Sequence, residues 1–110
     1  MNIAEISTTF GFEAVCVPQT DTRIIDGYTS DLLSDVMAKA GEDSVLVTIQ
    51  AHRNTIAVAS LAGIRAIVIC NGRDVPADME EAAVDEGIAI FRTGMTQFEV
   101  SGLLYARLRA

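Results

Sequence analysis

Three arginines carry most of the chemistry this sequence offers. Arg53, Arg73 and Arg92 each stand in a short polar segment that follows an apolar run, at residues 50–54, 71–76 and 92–96. Each segment leads into a stretch with helical patterning. A helix N-terminus favours an anion, because its first backbone N–H groups are free and its dipole is positive there. Asn54, Thr55, Asn71 and Thr93 add side-chain donors, and Gly72 and Gly94 let a ligand come close to the backbone. His52, the single histidine, lies in the first segment. These ten residues form the candidate ligand site, and a small anion or a nucleotide is the chemistry they suit. The arginines are a notable share of the cations, since the chain has 8 Lys plus Arg and a net charge of −7.

Other constellations are thinner. Asp31 and Asp35 are spaced i,i+4, yet two carboxylates without a third ligand make no metal site. No Gly-x-x-x-x-Gly-Lys-Ser/Thr occurs, and the only lysine, Lys39, falls inside a helical stretch. Gly-x-Gly-x-x-Gly, Cys-x-x-Cys and Gly-x-Ser-x-Gly are also missing. A phospho-receiver would want an aspartate where this chain has Asn71. No catalytic residue, metal or cofactor is assigned. A small enzyme would have to use His52 with Asp31 or Asp35.

The elements that position the arginines come from periodicity. Val45 to Ile49 and Ala66 to Cys70 are apolar runs without alternation, which suits strands buried on both faces. Between them Asn54 reads as the N-cap of a helix over 55–61 that closes at Gly63, completing a βαβ unit. Residues 88–91 read as a third such strand, preceded by an acidic helix over 77–86 and followed by a helix over 95–107. Upstream, the pattern predicts a helix over 2–10, a strand over 13–17, a brief extended piece at Ile24 and Ile25, and a turn at Asp26-Gly27. Thr29 or Ser30 then caps a helix to about Ala40, with Asp31 in its first turn and Leu32, Leu33, Val36 and Met37 as its buried stripe. Phe98, Leu103, Leu104 and Leu108 supply the buried face of the last helix. The expected architecture is three-layer α/β/α, with a largely parallel sheet of four to five strands. In such a sheet the three arginine segments share the strands' C-terminal edge, where ligands settle.

Composition sets the remaining limits. The 110 residues suit a single domain spanning 1–110. Net acidity argues against nucleic acid as the partner. No apolar stretch approaches the ~20 residues of a membrane span. No basic region precedes an apolar core at Met1 to Glu5, so no signal peptide is expected. Cys16 and Cys70, both in apolar runs, read as buried thiols of a cytoplasmic protein. Ile56, Ala57, Val58, Ala59, Leu61 and Ala62 wrap helix 54–62 almost completely, which points to burial in the core or under a second subunit of a homodimer.

At Gly27 to Met37, Val47 to Asn54, Ala66 to Gly72 and Gly87 to Ile90 the sequence resembles the DRTGG domain family. It is similar there to the N-terminal domain of HPr kinase/phosphorylase and to short stand-alone members without a kinase half. The resemblance covers residues 2–108 or so. Where the family's Asp-Arg-Thr-Gly-Gly stretch would fall, this chain reads Ala51-His52-Arg53-Asn54-Thr55, and only Arg53 aligns. The resemblance implies a three-layer α/β domain with a regulatory or assembly role and no kinase activity. The expected function is therefore a non-catalytic regulatory or ligand-sensing module that self-associates. A protein-interaction module without a ligand is the alternative.

Overall fold

A computed structural model describes residues 1–110. The chain runs α1 (Ile3–Phe10), β1 (Glu13–Cys16), β2 (Asp26–Thr29), α2 (Leu33–Lys39), β3 (Ser44–Thr48), α3 (Arg53–Ala62), β4 (Ala66–Ile69), α4 (Ala77–Glu86), β5 (Ala89–Arg92) and α5 (Gln97–Leu108). The five strands form one sheet in the order β1-β5-β4-β3-β2. β2 to β5 are parallel, and only β1 is antiparallel, against β5.

Alternation along the strands divides the core in two. Val45, Val47, Ala66, Val68, Cys70, Ala89 and Phe91 face one way and pack with Ile3, Ile6, Val100 and Leu104 of α1 and α5. Leu46, Ile67, Ile69 and Ile90 face the other way and pack with Val36, Ile56, Ala59, Met79 and Ala83 of α2, α3 and α4. The three crossover helices share a face because the strand order from β2 to β5 never reverses, and right-handed crossovers then stay on one side. The fold is a three-layer α/β/α sandwich with a mostly parallel sheet.

Several local expectations are corrected. Asp26-Gly27 is no turn; it opens β2, which pairs with Ser44 and Val45. The extended piece at Ile24 and Ile25 instead leads into that strand, and Ile24 is fully buried. α2 begins at Leu33, so neither Thr29 nor Ser30 caps it and Asp31 lies before its first turn. Of its expected stripe only Val36 is buried, with Leu32 64% and Met37 42% exposed. α5 buries Val100 and Leu104 and leaves Phe98 89% exposed, because Phe98 stands about 100° around the helix from Gln97 and the inward line. α3 starts two residues early, at Arg53, with His52 and not Asn54 at the N-cap position. Its small outward residues leave one side bare, and Leu61 is 77% exposed. No helix is long and apolar enough to cross a membrane.

Candidate functional site

The C-terminal ends of β3, β4 and β5 lie side by side, so the three loops do share one edge. Their arginines do not converge. Arg53, exposed on the first turn of α3, lines a recess with Asp78, Glu81 and Asp85 of α4 and faces carboxylates there. Asn54 lies beside it, exposed. Arg73 is exposed, and its side chain bonds no protein group.

Arg92 is the organised one. Its Nε donates to the Arg73 carbonyl at 3.0 Å and its Nη2 to the Gly72 carbonyl at 2.9 Å. Those two bonds hold the guanidinium at the junction of the β4–α4 and β5–α5 loops. Two carboxylates reach it more loosely, Glu13 at 3.4 Å and Asp74 at 3.3 Å, and both are largely solvent-exposed. Arg92, Thr93, Gly94, Gly72, Gly11 and Glu13 line a hollow of about 260 Å³ without a hydrophobic side chain. Asn71 and Gly72 carry positive φ of 60° and 65°, which turns this loop sharply under the guanidinium.

The remaining candidates are committed elsewhere. Thr55 is fully buried and its hydroxyl donates to the Gln50 carbonyl at 2.7 Å, so it offers nothing to a ligand. The Asn71 and Gly72 N–H groups donate to the Met95 and Thr93 carbonyls at 2.9 Å each. The Thr93 hydroxyl accepts from the Met95 N–H at 3.2 Å. The N-terminus of α5 is filled by its own carboxylate, a capping box in which Thr96 and Glu99 satisfy each other's backbone N–H. His52 is exposed, and its ring bonds neither Asp31 nor Asp35.

A polar hub that the sequence did not announce sits at the same edge. Asp31 Oδ1 accepts from the Thr48 hydroxyl, the Ile49 N–H and the Gln97 Nε2, each at 2.9 Å. Gln50 Nε2 donates to the Asp31 carbonyl at 2.9 Å. One aspartate thus ties the β2–α2 loop to the end of β3 and the start of α5. Burial, together with the nearby Asp31 charge, pushes the Cys70 thiol up to about 11. Asp35 points away from this hub and accepts from the Tyr28 hydroxyl at 2.7 Å, which holds its carboxyl below the usual carboxylate range. The i,i+4 pair therefore does not gather around one cation, and its only sequence signal was the spacing.

The largest hollow, about 580 Å³, lies at the opposite edge of the sheet. Val17, Pro18, Gln19, Thr20, Arg65 and Val84 are among its lining residues. Nothing in the sequence marks it, because its walls come from an irregular loop and the far end of α4.

No protein-family model matches the chain, and no curated protein does. Among solved structures the chain is similar to the CBS and DRTGG domains of the regulatory region of Clostridium perfringens pyrophosphatase, crystallised with the activator diadenosine tetraphosphate. The TM-score is 0.74 at 13% sequence identity, over 93% of this chain and 45% of that one. This chain thus spans less than half of that chain's length. The likeness shows the fold, which is DRTGG-like.

Proposed function

We propose that this domain is a regulatory module, not a catalyst, that senses a small phosphate-bearing ligand and self-associates. The similar pyrophosphatase region is regulatory and was crystallised with a dinucleotide activator, which supports a sensing role for a chain of this fold. The observation that carries the ligand reading is the state of Arg92. Two carbonyls fix its guanidinium beside an open polar hollow, while its charge is met only by long contacts from exposed Glu13 and Asp74. Exposed ion pairs are worth about 0–1 kcal/mol. A phosphate pairing with a guanidinium makes shorter, charge-assisted bonds and displaces such partners. The Gly94 N–H beside it has no protein acceptor and is available to the same ligand. Arg73 stands on the adjoining loop as a second cation.

The test is thermal stability against a panel of nucleotides, phosphorylated metabolites and simple anions. A ligand that binds only the folded state adds about 2.7 kcal/mol at a hundredfold excess over Kd. The expected result is a rise in Tm that survives Arg53→Ala and is lost in Arg92→Gln. A rise lost in Arg53→Ala alone would move the site to α3. A flat panel would remove ligand sensing and leave the protein-interaction reading.

A further inference from the structure

The two edges of the sheet, β1 and β2, are finished differently. β1 carries features that discourage pairing with another strand: a register shift between Ala14 and Cys16, the exposed charge of Glu13, and Pro18 just beyond its end. β2 has an unbroken register on β3 and neither proline nor lysine. No further strand pairs with it, although the Gly27 N–H is held by the Asp26 carboxylate at 2.8 Å, and large apolar side chains border it. Leu32, 64% exposed, follows its C-terminal end, and Ile25, 56% exposed, precedes its start.

α5 completes this border. The Thr29 and Ser101 hydroxyls meet at 2.6 Å and the Leu108 side chain lies beside Gly27, so the helix runs along β2. Phe98 and Tyr105 flank Ser101 at helical spacing and are 89% and 65% exposed. Phe98 follows Gln97, which bonds Asp31 next to Leu32. Tyr105 lies at the other end, where the Arg109 guanidinium stacks 5.0 Å above its ring and bonds Asp26 at 3.1 Å. Each end of the β2 edge therefore presents one aliphatic and one aromatic side chain.

Charge narrows what can dock there. The chain is strongly acidic, and α4, which packs toward β1 and β5, carries Asp78, Glu80, Glu81, Asp85 and Glu86. Along β2 the one strand carboxylate, Asp26, is matched by Arg109. Glu99 and Asp31 also lie near this border, but a second acidic copy meets less repulsion here than at α4.

We propose that the β2 edge seats a second copy of this chain, the two β2 strands pairing antiparallel about a twofold axis. The axis brings the Leu32–Phe98 end of each copy onto the Ile25–Tyr105 end of the other, apolar on apolar. Strand addition supplies the main-chain bonds and joins the two sheets through their β2 edges. With aromatic side chains burying on the order of 150–250 Å² each, the paired edges remove on the order of 1,000 Å² from water, the size a specific interface needs. This locates the self-association included in the regulatory reading, but it does not depend on a ligand.

The test is sedimentation velocity without ligand, on the wild type and on the surface variants Phe98→Glu, Ile25→Lys and Leu61→Lys. The expected result is a wild-type dimer that becomes monomeric in Phe98→Glu and Ile25→Lys and persists in Leu61→Lys. Hydrogen exchange on the wild type gives a reading free of any variant, with β2 amides becoming more protected as concentration rises. A wild type that stays monomeric at several hundred micromolar overturns the proposal. So does a dimer that survives both edge variants, or one lost in Leu61→Lys. A dimer with the expected variant pattern and a flat nucleotide panel would keep this interface and remove only the ligand reading.

Discussion

Asp31 and Gln97, 66 positions apart in the chain, meet at the sheet's C-terminal edge, where the glutamine amide donates to the aspartate Oδ1 at 2.9 Å. The same oxygen holds the Thr48 hydroxyl and the Ile49 N–H. Three separate segments are therefore fixed by one acceptor.

Removing that acceptor should be costly. Asp31→Ala strands the Ile49 N–H and the Gln97 amide in a half-buried place, and each unsatisfied donor costs about 1–3 kcal/mol. Urea unfolding should show a loss of about 3 kcal/mol with an unchanged slope. Asp31→Asn keeps an acceptor oxygen and should lose about 1 kcal/mol. Equal losses in the two variants would mean that the carboxylate charge, not the acceptor geometry, holds the hub.

The Tyr28–Asp35 bond should shape the pH profile at both ends. It lowers the Asp35 carboxyl, so its stabilisation is complete above about pH 4 and disappears as pH falls through the folded-state value. The same bond raises the Tyr28 hydroxyl, so the contribution also disappears as pH climbs past about 10. Comparing Tm for the wild type and Tyr28→Phe across pH should show a gap that is flat near neutrality and narrows on either side. A gap that widened in acid would contradict the assignment.

Neither thiol should be reactive in the native protein. Cys70 is fully buried with its thiol pushed up to about 11, so about one molecule in a thousand carries the thiolate at pH 8. Burial also raises the half-buried Cys16. A disulfide-exchange reagent at pH 8 should label Cys16 slowly and Cys70 only after denaturant is added. Rapid native labelling of a Cys16→Ala variant would show that Cys70 opens to solvent.

Two helix-ending glycines separate conformation from crowding. Gly63 and Gly87 both sit at positive φ, 77° and 68°. A methyl at Gly87 would meet nothing within 4 Å, whereas one at Gly63 would lie 2.8 Å from Glu42 Cγ and 3.3 Å from Glu42 Cα. Gly87→Ala should cost about 1–2 kcal/mol for the left-handed backbone alone. Gly63→Ala should cost clearly more, because Glu42 has to move. Calorimetry on both variants reads the difference.

The sheet and its crossovers were legible because hydrophobic runs and glycine stops are local signals. α4 falls at 77–86 as expected, and α3 ends at Gly63. The hub was not legible, since Asp31 acquires its partners only when Thr48 and Gln97 arrive from elsewhere. Its place before a helical stretch suggested capping, which is what an aspartate does locally. The three arginines were correctly assigned to one edge, but no pattern records that Arg53 turns toward the carboxylates of α4 or that Arg92 folds back onto loop carbonyls. β2 was misplaced because Asp-Gly is a turn dipeptide by propensity, and its pairing with β3 overrides that preference.

The antiparallel placement of β1 governs the order in which the protein can assemble on a ribosome. Glu13 pairs with Arg92, so the strand made first among the five has no partner until the last strand has been made. β2, β3 and β4 can pair through short crossovers in the meantime, while β1 and α1 wait beside an unfinished apolar face. Contacts of such long sequence separation are closed late and slowly. A pause before residue 92 should leave a nascent chain with three strands in register and an N-terminal segment open to proteases or chaperones.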